Sequence, residues 1–446
     1  MILTSQQMPH SITARLERLQ GSPAHQQIIW IMGLAFFFEF ADINTFAYVA
    51  PAILRSWHLS ISGIGTIVSA TFFGMFLGAT SAGWLSDRVG RKKALIYTAL
   101  WYSTFSLINA FVWEPVGMLA CRLLTGIGLS ALTVVGITYI SEMFPTTKRG
   151  ARQSLIMTIG LFGIPVTAYV ARFTIPMAVW AWRLVFVWGS LGLVFAPLAS
   201  RLEESPRWLE NQGRMVEAES VLARIEQRTE ANREELRPSA KLTESRRPPL
   251  SYRDLFSRRY LRQTIILNLA WVFQTLGLVG FMAWVPTLLV AHGFSLVNSL
   301  SWSSAISLGA IPGTLIAALI SDRWERKWLI TILAMIIAVC GLLYGMSFKT
   351  APIIIFGFLV AMFLQTFAPI IYAYTPEAYP TEIRNSGVGL AYGIGRLANT
   401  GGPLVIAFLY DHYTYTSVFA YIAMCWVLVA ITIGGFGLST KGRILV

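Results

Sequence analysis

Long apolar segments of helix length fill most of this chain and alternate with short polar loops. Six of them precede a long polar segment and six follow it, at residues 28–54, 61–86, 94–113, 117–141, 153–176, 182–199, 262–291, 300–321, 327–347, 352–375, 386–409 and 417–437. A helix of about 20 apolar residues crosses the hydrocarbon core of a bilayer. The pattern predicts an all-α integral membrane protein with twelve transmembrane helices in two six-helix halves.

The polar segments divide the chain into five parts. We expect an N-terminal tail at 1–27, a first half at 28–199, a central loop at 200–261, a second half at 262–437 and a C-terminal tail at 438–446. The central loop is short and contains neither a Gly-rich phosphate loop nor a cluster of metal ligands. An enzymatic domain, a cofactor and a metal site are therefore not expected.

Basic residues are concentrated in alternate loops. The chain is 55% hydrophobic and 13% charged, with a formal net charge of +13. Of its 35 Lys and Arg residues, 29 fall in the tails, in the segment 200–262 and in the loops at 87–93, 142–152, 322–327 and 376–385. Positive charge accumulates in this way on the cytoplasmic side of membrane proteins. We therefore expect both termini and the central loop in the cytoplasm, a bacterial-type inner membrane as the surrounding bilayer, and no nucleic-acid partner.

Polar residues in the loops recur at one offset in the two halves. The following pairs are each separated by 235 positions: Asp87 and Asp322, Arg88 and Arg323, Arg91 and Arg326, Glu142 and Glu377, Pro145 and Pro380, Arg149 and Arg384. A constant offset predicts two halves related by duplication. In such an architecture the substrate site lies near the membrane midplane, between the halves.

The charged members of these pairs are candidate gating residues. An acid such as Asp87 can cap a helix end and pair with a neighbouring Arg. Glu142 with Arg149, and Glu377 with Arg384, can form similar networks. Such pairs form and break when two halves rock against each other. The alternative is that the basic residues only anchor the loops on one side of the membrane.

Four charged residues lie deep inside predicted helices, namely Glu39, Asp42, Arg122 and Arg396. A charge at the centre of a span costs roughly 2.5–3.5 kcal/mol, so it normally faces water or an opposite charge. Glu39 and Asp42 are three residues apart and share one helical face. A carboxylate that alternately meets and loses an Arg changes its proton affinity with conformation, which can couple transport to a proton gradient.

Arg396 is the candidate ligand for an anionic substrate. Its guanidinium offers a fork of N–H donors that suits a carboxylate, and no acidic residue lies deep in a predicted helix of the second half. Alternatively, backbone carbonyls or the first-span acids hold it.

Aromatic and amide side chains could complete a cavity for a planar organic molecule around Arg396. They are Phe40, Tyr48, Trp271, Gln274, Trp284, Gln365, Tyr372, Tyr392 and Asn399. Each of them can equally be a packing residue or part of the aromatic belt at the membrane interface.

Several motifs resemble those of the major facilitator superfamily. Residues 83–93, GWLSDRVGRKK, resemble the superfamily signature between the second and third spans, and residues 321–327, SDRWERK, resemble a second copy of it. RLLTGIG, which begins at Arg122, resembles the fourth-span pattern. EMFPTTKRG from Glu142 and ESPRWL from Glu204 are similar to motifs of sugar porters and organic-ion transporters.

Two further stretches are similar to motifs of aromatic acid and proton symporters. The acids Glu39 and Asp42 resemble a first-span DGFD pattern, with Glu in place of its first Asp. Residues 395–403, GRLANTGGP, resemble an eleventh-span GRxGAxxGP pattern, with Asn399 in place of a small residue. The resemblance implies that Asp42 pairs with Arg122. On that basis Asp42 is the expected proton carrier, Arg122 tunes it and Glu39 is an auxiliary acid; alternatively, the pair only orders the first and fourth spans.

Together these features predict a proton-coupled symporter. It would import a small organic anion, an aromatic or related monocarboxylate, by alternating access, as a monomer without a cofactor. One alternative is a transporter of organic cations or sugars, in which Glu39 and Asp42 would bind a cation directly. Another is a membrane sensor that binds its ligand without transporting it.

Overall fold

The computed structural model describes most of the chain. It covers residues 12, 15, 16, 19, 23–230, 252–321, 323–379 and 383–439. The predicted gating residue Asp322 lies outside these described residues, as do most of both predicted tails and residues 231–251 of the predicted central loop.

Helices form nearly all of the described chain. The first half and the segment after it contain α1 (Pro23–Ser56), α2 (Ile61–Val89), α3 (Arg91–Asn109), α4 (Pro115–Met143), α5 (Thr146–Leu161), α6 (Gly163–Thr174), α7 (Arg183–Ser190), α8 (Phe195–Ala199), α9 (Pro206–Asn211) and α10 (Met215–Glu230). The second half contains α11 (Leu261–Met282), α12 (Val285–Ala291), α13 (Leu296–Ser307), α14 (Ala310–Ile320), α15 (Arg326–Gly345), α16 (Thr350–Glu377), α17 (Arg384–His412) and α18 (Tyr415–Phe436). Short 3₁₀ turns lie at Ile175–Met177, Leu191–Val194 and Tyr252–Phe256.

These helices form twelve membrane spans. Nine segments of the described chain are long and apolar enough to cross a membrane, counting α5–α6 and α13–α14 as one span each. The other three spans are α3, the shorter apolar segment Arg183–Ala199 and α17. The prediction of an all-α fold with twelve transmembrane helices in two six-helix halves is confirmed.

In the first half, α2 and α4 pack so closely that their backbones touch. A Cβ added to Gly74 would lie 2.0 Å from the carbonyl oxygen of Leu123, and one added to Gly78 would lie 2.0 Å from that of Ile127. Both distances are far inside van der Waals contact. Glycine at these positions is therefore what allows the second and fourth spans to approach each other.

The second half repeats this contact. A Cβ added to Gly309 would lie 2.5 Å from the carbonyl oxygen of Phe358, and one added to Gly313 would lie 2.2 Å from that of Met362. Each of these four residues is 235 positions beyond its counterpart in the first half, as Gly309 is beyond Gly74. The duplication read from the loops therefore extends to the packing of the eighth span against the tenth.

An even number of spans separates the segments 87–93, 200–214 and 323–327, so they lie at the same end of the bundle, which we call the basic end. The amphipathic helix α10 packs there against the N-terminal segment, through an ion pair in which Arg15 donates to Glu226 over 2.9 Å. The central segment is thereby attached to the first half.

Contacts join the two halves at the end of the bundle opposite the basic end. Ser62 on α2 donates a hydrogen bond to Asp411 on α17. Ser304 on α13 donates to the carbonyl oxygen of Ala168 on α6 over 3.0 Å. The halves are thus held together at this opposite end in the conformation observed.

The close contact between α2 and α4 generates a stability prediction. Replacing Gly78 by Ala forces a methyl group against the Ile127 carbonyl, so the helices must separate, at a cost of about 1–3 kcal/mol. We expect Gly78→Ala to lower the apparent melting temperature of the purified protein in detergent by ~5 °C.

Gly83→Ala is the matched control, because a Cβ added at Gly83, on the same helix, meets no atom within 4 Å. It should leave the melting temperature unchanged or slightly raised, since Ala favours a helix over Gly. Equal melting temperatures for the two variants would contradict the close-contact interpretation.

Candidate functional site

Asp42 lies on α1 inside the first half and forms a fully buried ion pair. Its Oδ2 is 3.4 Å from Nη1 of Arg122 on α4, and the two side chains are 0% and 1% exposed. Its Oδ1 accepts a hydrogen bond from Ser106 on α3. Both carboxylate oxygens of Asp42 are therefore satisfied by partners within the same half.

Residues on neighbouring helices contact this ion pair and leave room for it. Arg122 also donates from Nε to the Thr71 hydroxyl on α2 over 3.4 Å, and its guanidinium lies 5.6 Å from the centre of the Phe46 ring. Gly189 on α7 leaves room for the carboxylate, because an added Cβ would lie 2.4 Å from Asp42 Oδ1. The pair consequently links the first four spans, and the sixth packs directly onto it.

Glu39 lies one helical turn before Asp42 and has a different environment. Its side chain is 1% exposed. Its Oε1 accepts a hydrogen bond from Thr133 on α4, while its Oε2 has no hydrogen-bond partner among the described residues. The two first-span acids therefore face different partners.

Three of the predicted aromatic residues form one cluster in the second half. The centre of the Trp271 ring lies 4.4 Å from that of Tyr392 and 5.0 Å from that of Tyr372, and the two tyrosine rings are 4.8 Å apart. The indole N–H of Trp271 donates to the Thr375 hydroxyl over 2.9 Å, which fixes the orientation of the ring. We call Trp271, Tyr372 and Tyr392 the ring cluster.

Arg396 lies beside the ring cluster. It follows Tyr392 by one turn of α17, and a Cβ added to the preceding residue, Gly395, would lie 3.4 Å from the Trp271 ring. Its guanidinium makes no hydrogen bond to any described part of the chain. A partly exposed guanidinium in this state retains all its donors for a ligand.

Two predicted amides also lie on the helices that carry these groups. Gln274 on α11 is buried and donates to the Thr275 hydroxyl over 2.7 Å. Asn399 on α17 is 5% exposed, and its Oδ1 has no hydrogen-bond partner among the described residues. Asn399 therefore has a buried acceptor available on the same helix as Arg396.

Two other predicted binding residues make contacts away from the ring cluster. Phe40 packs against α5, where a Cβ added to Gly160 would lie 3.0 Å from its ring. Gln365 on α16 points its Cβ toward α14, 3.0 Å from a Cβ added to Gly313. The contacts observed for Phe40 and Gln365 are thus with neighbouring helices of their own halves.

At the basic end, Arg91 connects two acids of the first half. Its Nη1 lies 2.5 Å from Asp87, and its Nη2 lies 2.9 Å from Glu142. The second half repeats one of these contacts as an ion pair between Arg326 and Glu377. Each pair joins helices within one half. Sequence interpretation paired Glu142 with Arg149 and Glu377 with Arg384, whereas Arg91 and Arg326 are the partners observed here.

Glu204 is a polar residue of this network to which the sequence interpretation gave no role. Its Oε1 accepts backbone N–H groups of Arg91 over 2.9 Å, Lys92 over 3.1 Å and Ser205 over 2.9 Å, and so caps the start of α3. Burial raises the pKa of the Glu204 carboxyl, and these N–H donors partly oppose the shift. The available signal was its position at the head of the ESPRWL motif.

The two hydroxyl donors Ser106 and Thr133 were also missed. Hydroxyl side chains are common in membrane helices, so neither position carries a distinguishing sequence signal. Among the described residues, no group of three His, Cys, Asp or Glu side chains is arranged to hold a metal ion.

Comparison with known proteins identifies the family. A family model described as sugar (and other) transporter matches residues 60–446. The chain belongs to this family of the major facilitator superfamily. The expected membership is confirmed, and the protein is a multi-pass membrane transporter rather than an enzyme.

Similar transporters cover most of the length of the chain. A protein named for metabolite transport in Bacillus subtilis (strain 168) is 42% identical over 96% of this chain and 96% of its own length. The niacin transporter of Acinetobacter baylyi is 30% identical, over 97% and 98%. A gallate transporter of Pseudomonas putida is 30% identical, over 86% and 85%.

A solved structure shares the fold of this transporter. The xylose transporter from E. coli, in a partially occluded inward-open conformation, superposes with a TM-score of 0.75 over 95% of this chain and 100% of that one. The two sequences are 18% identical. This likeness establishes the major facilitator fold.

The buried pair of Asp42 and Arg122 generates a second stability prediction. Removing one charge leaves the other buried without a partner, which costs about 3–5 kcal/mol. We expect Asp42→Asn and Arg122→Gln each to lower the free energy of unfolding by that amount. The double variant should lose much less than the sum, because no lone charge remains.

Glu217→Gln is the control for this double-mutant cycle. It breaks the exposed ion pair between Arg214 and Glu217, whose atoms are 2.6 Å apart. An exposed pair contributes little, so thermal unfolding should be unaffected. Strict additivity of the Asp42 and Arg122 substitutions would exclude a direct interaction between these side chains.

Proposed function

We propose that this transporter is a proton-coupled symporter that imports a small organic anion, an aromatic or related monocarboxylate, by alternating access. The observation that carries this proposal is the guanidinium of Arg396, which has no hydrogen-bond partner in the described chain and lies beside the ring cluster. A carboxylate fits the N–H fork of Arg396, and a planar ring fits against aromatic faces.

The named substrates of two relatives support this chemistry. Niacin and gallate are both aromatic rings that carry one carboxyl group, and both name transporters that are 30% identical to this chain. An organic cation is disfavoured, because Arg396 would repel it. We propose that Gln274 and Asn399 supply polar contacts to the substrate, while Phe40 and Gln365, also predicted to bind it, would do so only after a change of their present packing.

Coupling to protons is assigned to the buried acids. A carboxylate that is released from its Arg partner binds a proton more readily, and one that regains this partner releases it. We propose Asp42 as the proton carrier, Arg122 as its tuner and Glu39 as an auxiliary acid. The full burial of the ion pair between Asp42 and Arg122 supports a strong dependence of proton affinity on its geometry.

The membrane setting is also proposed. The concentration of Lys and Arg at the basic end favours a cytoplasmic position for that end and for both termini. The bacterial relatives support an inner membrane as the location. We propose a monomer in which lipid and substrate are the partners and no cofactor is needed.

The charged loop residues that recur at one offset in the two halves are proposed as gating residues. They are Asp87, Arg88, Arg91, Glu142 and Arg149 in the first half and Asp322, Arg323, Arg326, Glu377 and Arg384 in the second. The ion pairs of Arg91 and Arg326 stabilise the basic end of each half while the opposite ends of the two halves are in contact.

Substrate recognition by Arg396 can be tested by ligand-induced stabilisation. Benzoate and nicotinate should raise the melting temperature of the purified wild-type protein, whereas glucose and a quaternary amine should not. Arg396→Ala should abolish the effect of the carboxylates, and Arg396→Lys should weaken it, because an ammonium lacks the planar fork.

Arg258→Ala is the matched control for charge removal, since Arg258 is exposed and lies before the seventh span. It should retain stabilisation by both carboxylates. Stabilisation of the Arg396→Ala variant equal to that of the wild type would move the substrate site elsewhere and reject the proposal.

Proton coupling can be tested in proteoliposomes. We expect Asp42→Asn to abolish accumulation of radiolabelled benzoate or nicotinate driven by an inward pH gradient. Counterflow, which needs no gradient, should persist and demonstrates that the variant still binds and alternates. Undiminished gradient-driven accumulation by Asp42→Asn would rule out Asp42 as the carrier.

A further inference from the structure

An apolar groove lies on the membrane-spanning surface where the two halves meet. It has a volume of about 530 Å³, within the range of roughly 300–1,000 Å³ that ligand sites occupy. One wall belongs to the fifth span and includes Phe162, Tyr169 and Phe173, and the other is formed by Leu308 and Ile311 of the eighth span. Each half therefore contributes one wall of the groove.

The groove is open to the lipid that surrounds the bundle. Phe162 is 42% exposed, Tyr169 is 37% exposed and Phe173 is 63% exposed, and all three lie on a membrane span. The rings of Tyr169 and Phe173 stack with their centres 6.4 Å apart, which extends the apolar surface along the helix. The hydrocarbon core of a bilayer contains no water that could fill such a groove. A hydrocarbon chain is therefore its natural occupant.

The length of the groove matches one leaflet of the bilayer. Its inner end lies at Phe162 and Leu308, close to the midpoints of the spans Arg149–Met177 and Leu296–Ile320. Phe173 follows Phe162 by 11 residues, which is a rise of roughly 16 Å in a helix. One leaflet contributes about 15 Å of hydrocarbon, half the thickness of the core. The groove thus runs from the midplane to the surface of the hydrocarbon core, as an acyl chain does.

A cation lies at the outer end of the groove. The guanidinium carbon of Arg172 on α6 lies 5.9 Å from the centre of the Phe173 ring. Nε of Arg172 donates to the Ser301 hydroxyl on α13, whereas its two terminal NH₂ groups have no hydrogen-bond or ion-pair partner among the described residues. An arginine with free terminal donors suits a phosphate. The groove and Arg172 are therefore arranged like the chain and the headgroup of a phospholipid.

Hydrogen bonds between the two halves lie directly beside this site. Arg172 donates to Ser301, and Ser304 donates to the carbonyl oxygen of Ala168 over 3.0 Å. Both bonds join α6 of the first half to α13 of the second. The two walls of the groove are therefore held at their present separation only while the halves are in contact at the end opposite the basic end.

We propose that one phospholipid of the leaflet at this opposite end binds here, with an acyl chain in the groove and its phosphate on Arg172. When the halves separate at the opposite end, the lipid loses contact with one wall. It therefore binds more tightly to the conformation in which the opposite ends touch, and it shifts the equilibrium toward that conformation. The site is separate from Arg396, so its failure would leave the proposed substrate site unaffected.

Native mass spectrometry of the full-length protein in detergent tests the lipid site. The probe is palmitoyl-oleoyl phosphatidylglycerol, and we expect a single tightly bound molecule per wild-type protein. Dihexanoyl phosphatidylglycerol has the same headgroup on short chains, and palmitoyl-oleoyl glycerol has the same chains without a phosphate. Each of them should bind about tenfold more weakly, because each lacks one of the two contacts. Equal binding of all three lipids would overturn the proposal.

Arg172→Gln should weaken binding of palmitoyl-oleoyl phosphatidylglycerol about tenfold, because charge-assisted hydrogen bonds to the phosphate are lost. Lys349→Gln is the control for charge, since it removes an exposed cation at the same end of the bundle. Ser301→Ala is the control for the bond between the halves, since it keeps the charge of Arg172. Both controls should bind the probe nearly as tightly as the wild type. Equal weakening in Ser301→Ala and Arg172→Gln would overturn the assignment of the headgroup to Arg172.

Val166→Trp tests the place of the acyl chain. Val166 lines the groove and is 36% exposed, so an indole ring at this position occupies the space of the chain. Probe binding should be lost. Val339→Trp is the matched control, because Val339 is 51% exposed on the ninth span and does not line the groove; it should bind the probe as the wild type does. Retention of the probe by Val166→Trp would overturn the proposal, as would a dimer of the wild type that replaces the bound lipid and is lost in Val166→Trp.

Spin labels test the effect of the lipid on conformation. Glu114→Cys and Lys349→Cys place one label on each half at the opposite end, where both residues are exposed. The native cysteines Cys121, Cys340 and Cys425 are replaced by Ser in this variant. Addition of palmitoyl-oleoyl phosphatidylglycerol should increase the population with the short distance between labels, and the Val166→Trp substitution should abolish that response. An unchanged distance distribution, or an equal response with Val166→Trp, would overturn the proposed shift.

Discussion

An ionised side chain in the middle of a membrane-spanning bundle must be neutralised by a partner inside that bundle, because neither lipid nor close-packed helices replace its hydration. Asp42 and Arg122 meet this requirement within the first half, where they are fully buried and tie its helices together. Glu39 accepts only a hydroxyl hydrogen bond, from Thr133, and its other carboxylate oxygen has no hydrogen-bond partner among the described residues. The first-span acids therefore differ, because Asp42 has a charged partner inside its own half and Glu39 forms no ion pair with a described residue.

Contacts within each half hold its helices together. Backbone contacts at Gly74 and Gly78 hold α2 against α4, and the ion pairs of Arg91 and Arg326 connect helices of one half at the basic end. The bonds that cross between halves lie at the opposite end, as between Ser62 and Asp411. If the two halves rock against each other, the hydrogen bonds between the halves break and the contacts within each half stay intact. Alternating access requires this combination.

Hydropathy and charge predicted the spans, the fold and the four charged residues inside the spans, because each depends only on residue type and order. The three residues of the ring cluster were each predicted as binding candidates, but their contact with one another was not predicted. The rotation of each helix about its axis decides which side chains meet, and the sequence does not give that rotation. The same reason explains why Phe40 and Gln365 contact other helices, and why the hydroxyls of Ser106 and Thr133 were missed. The sequence predicts how deep in the membrane a residue lies, whereas the packing of the helices determines which residues it contacts.

Duplication followed by divergence explains how the candidate site became asymmetric. In each half, a glycine on the fifth span packs against a residue of the first span. Gly160 lies against Phe36, and Gly395, 235 positions later, lies against Trp271. Around this shared backbone arrangement, one half has an acid on its first span and the other has a cation on its fifth. The charged residues that the duplication does not repeat therefore lie on different halves, which is the placement that a site between the halves requires.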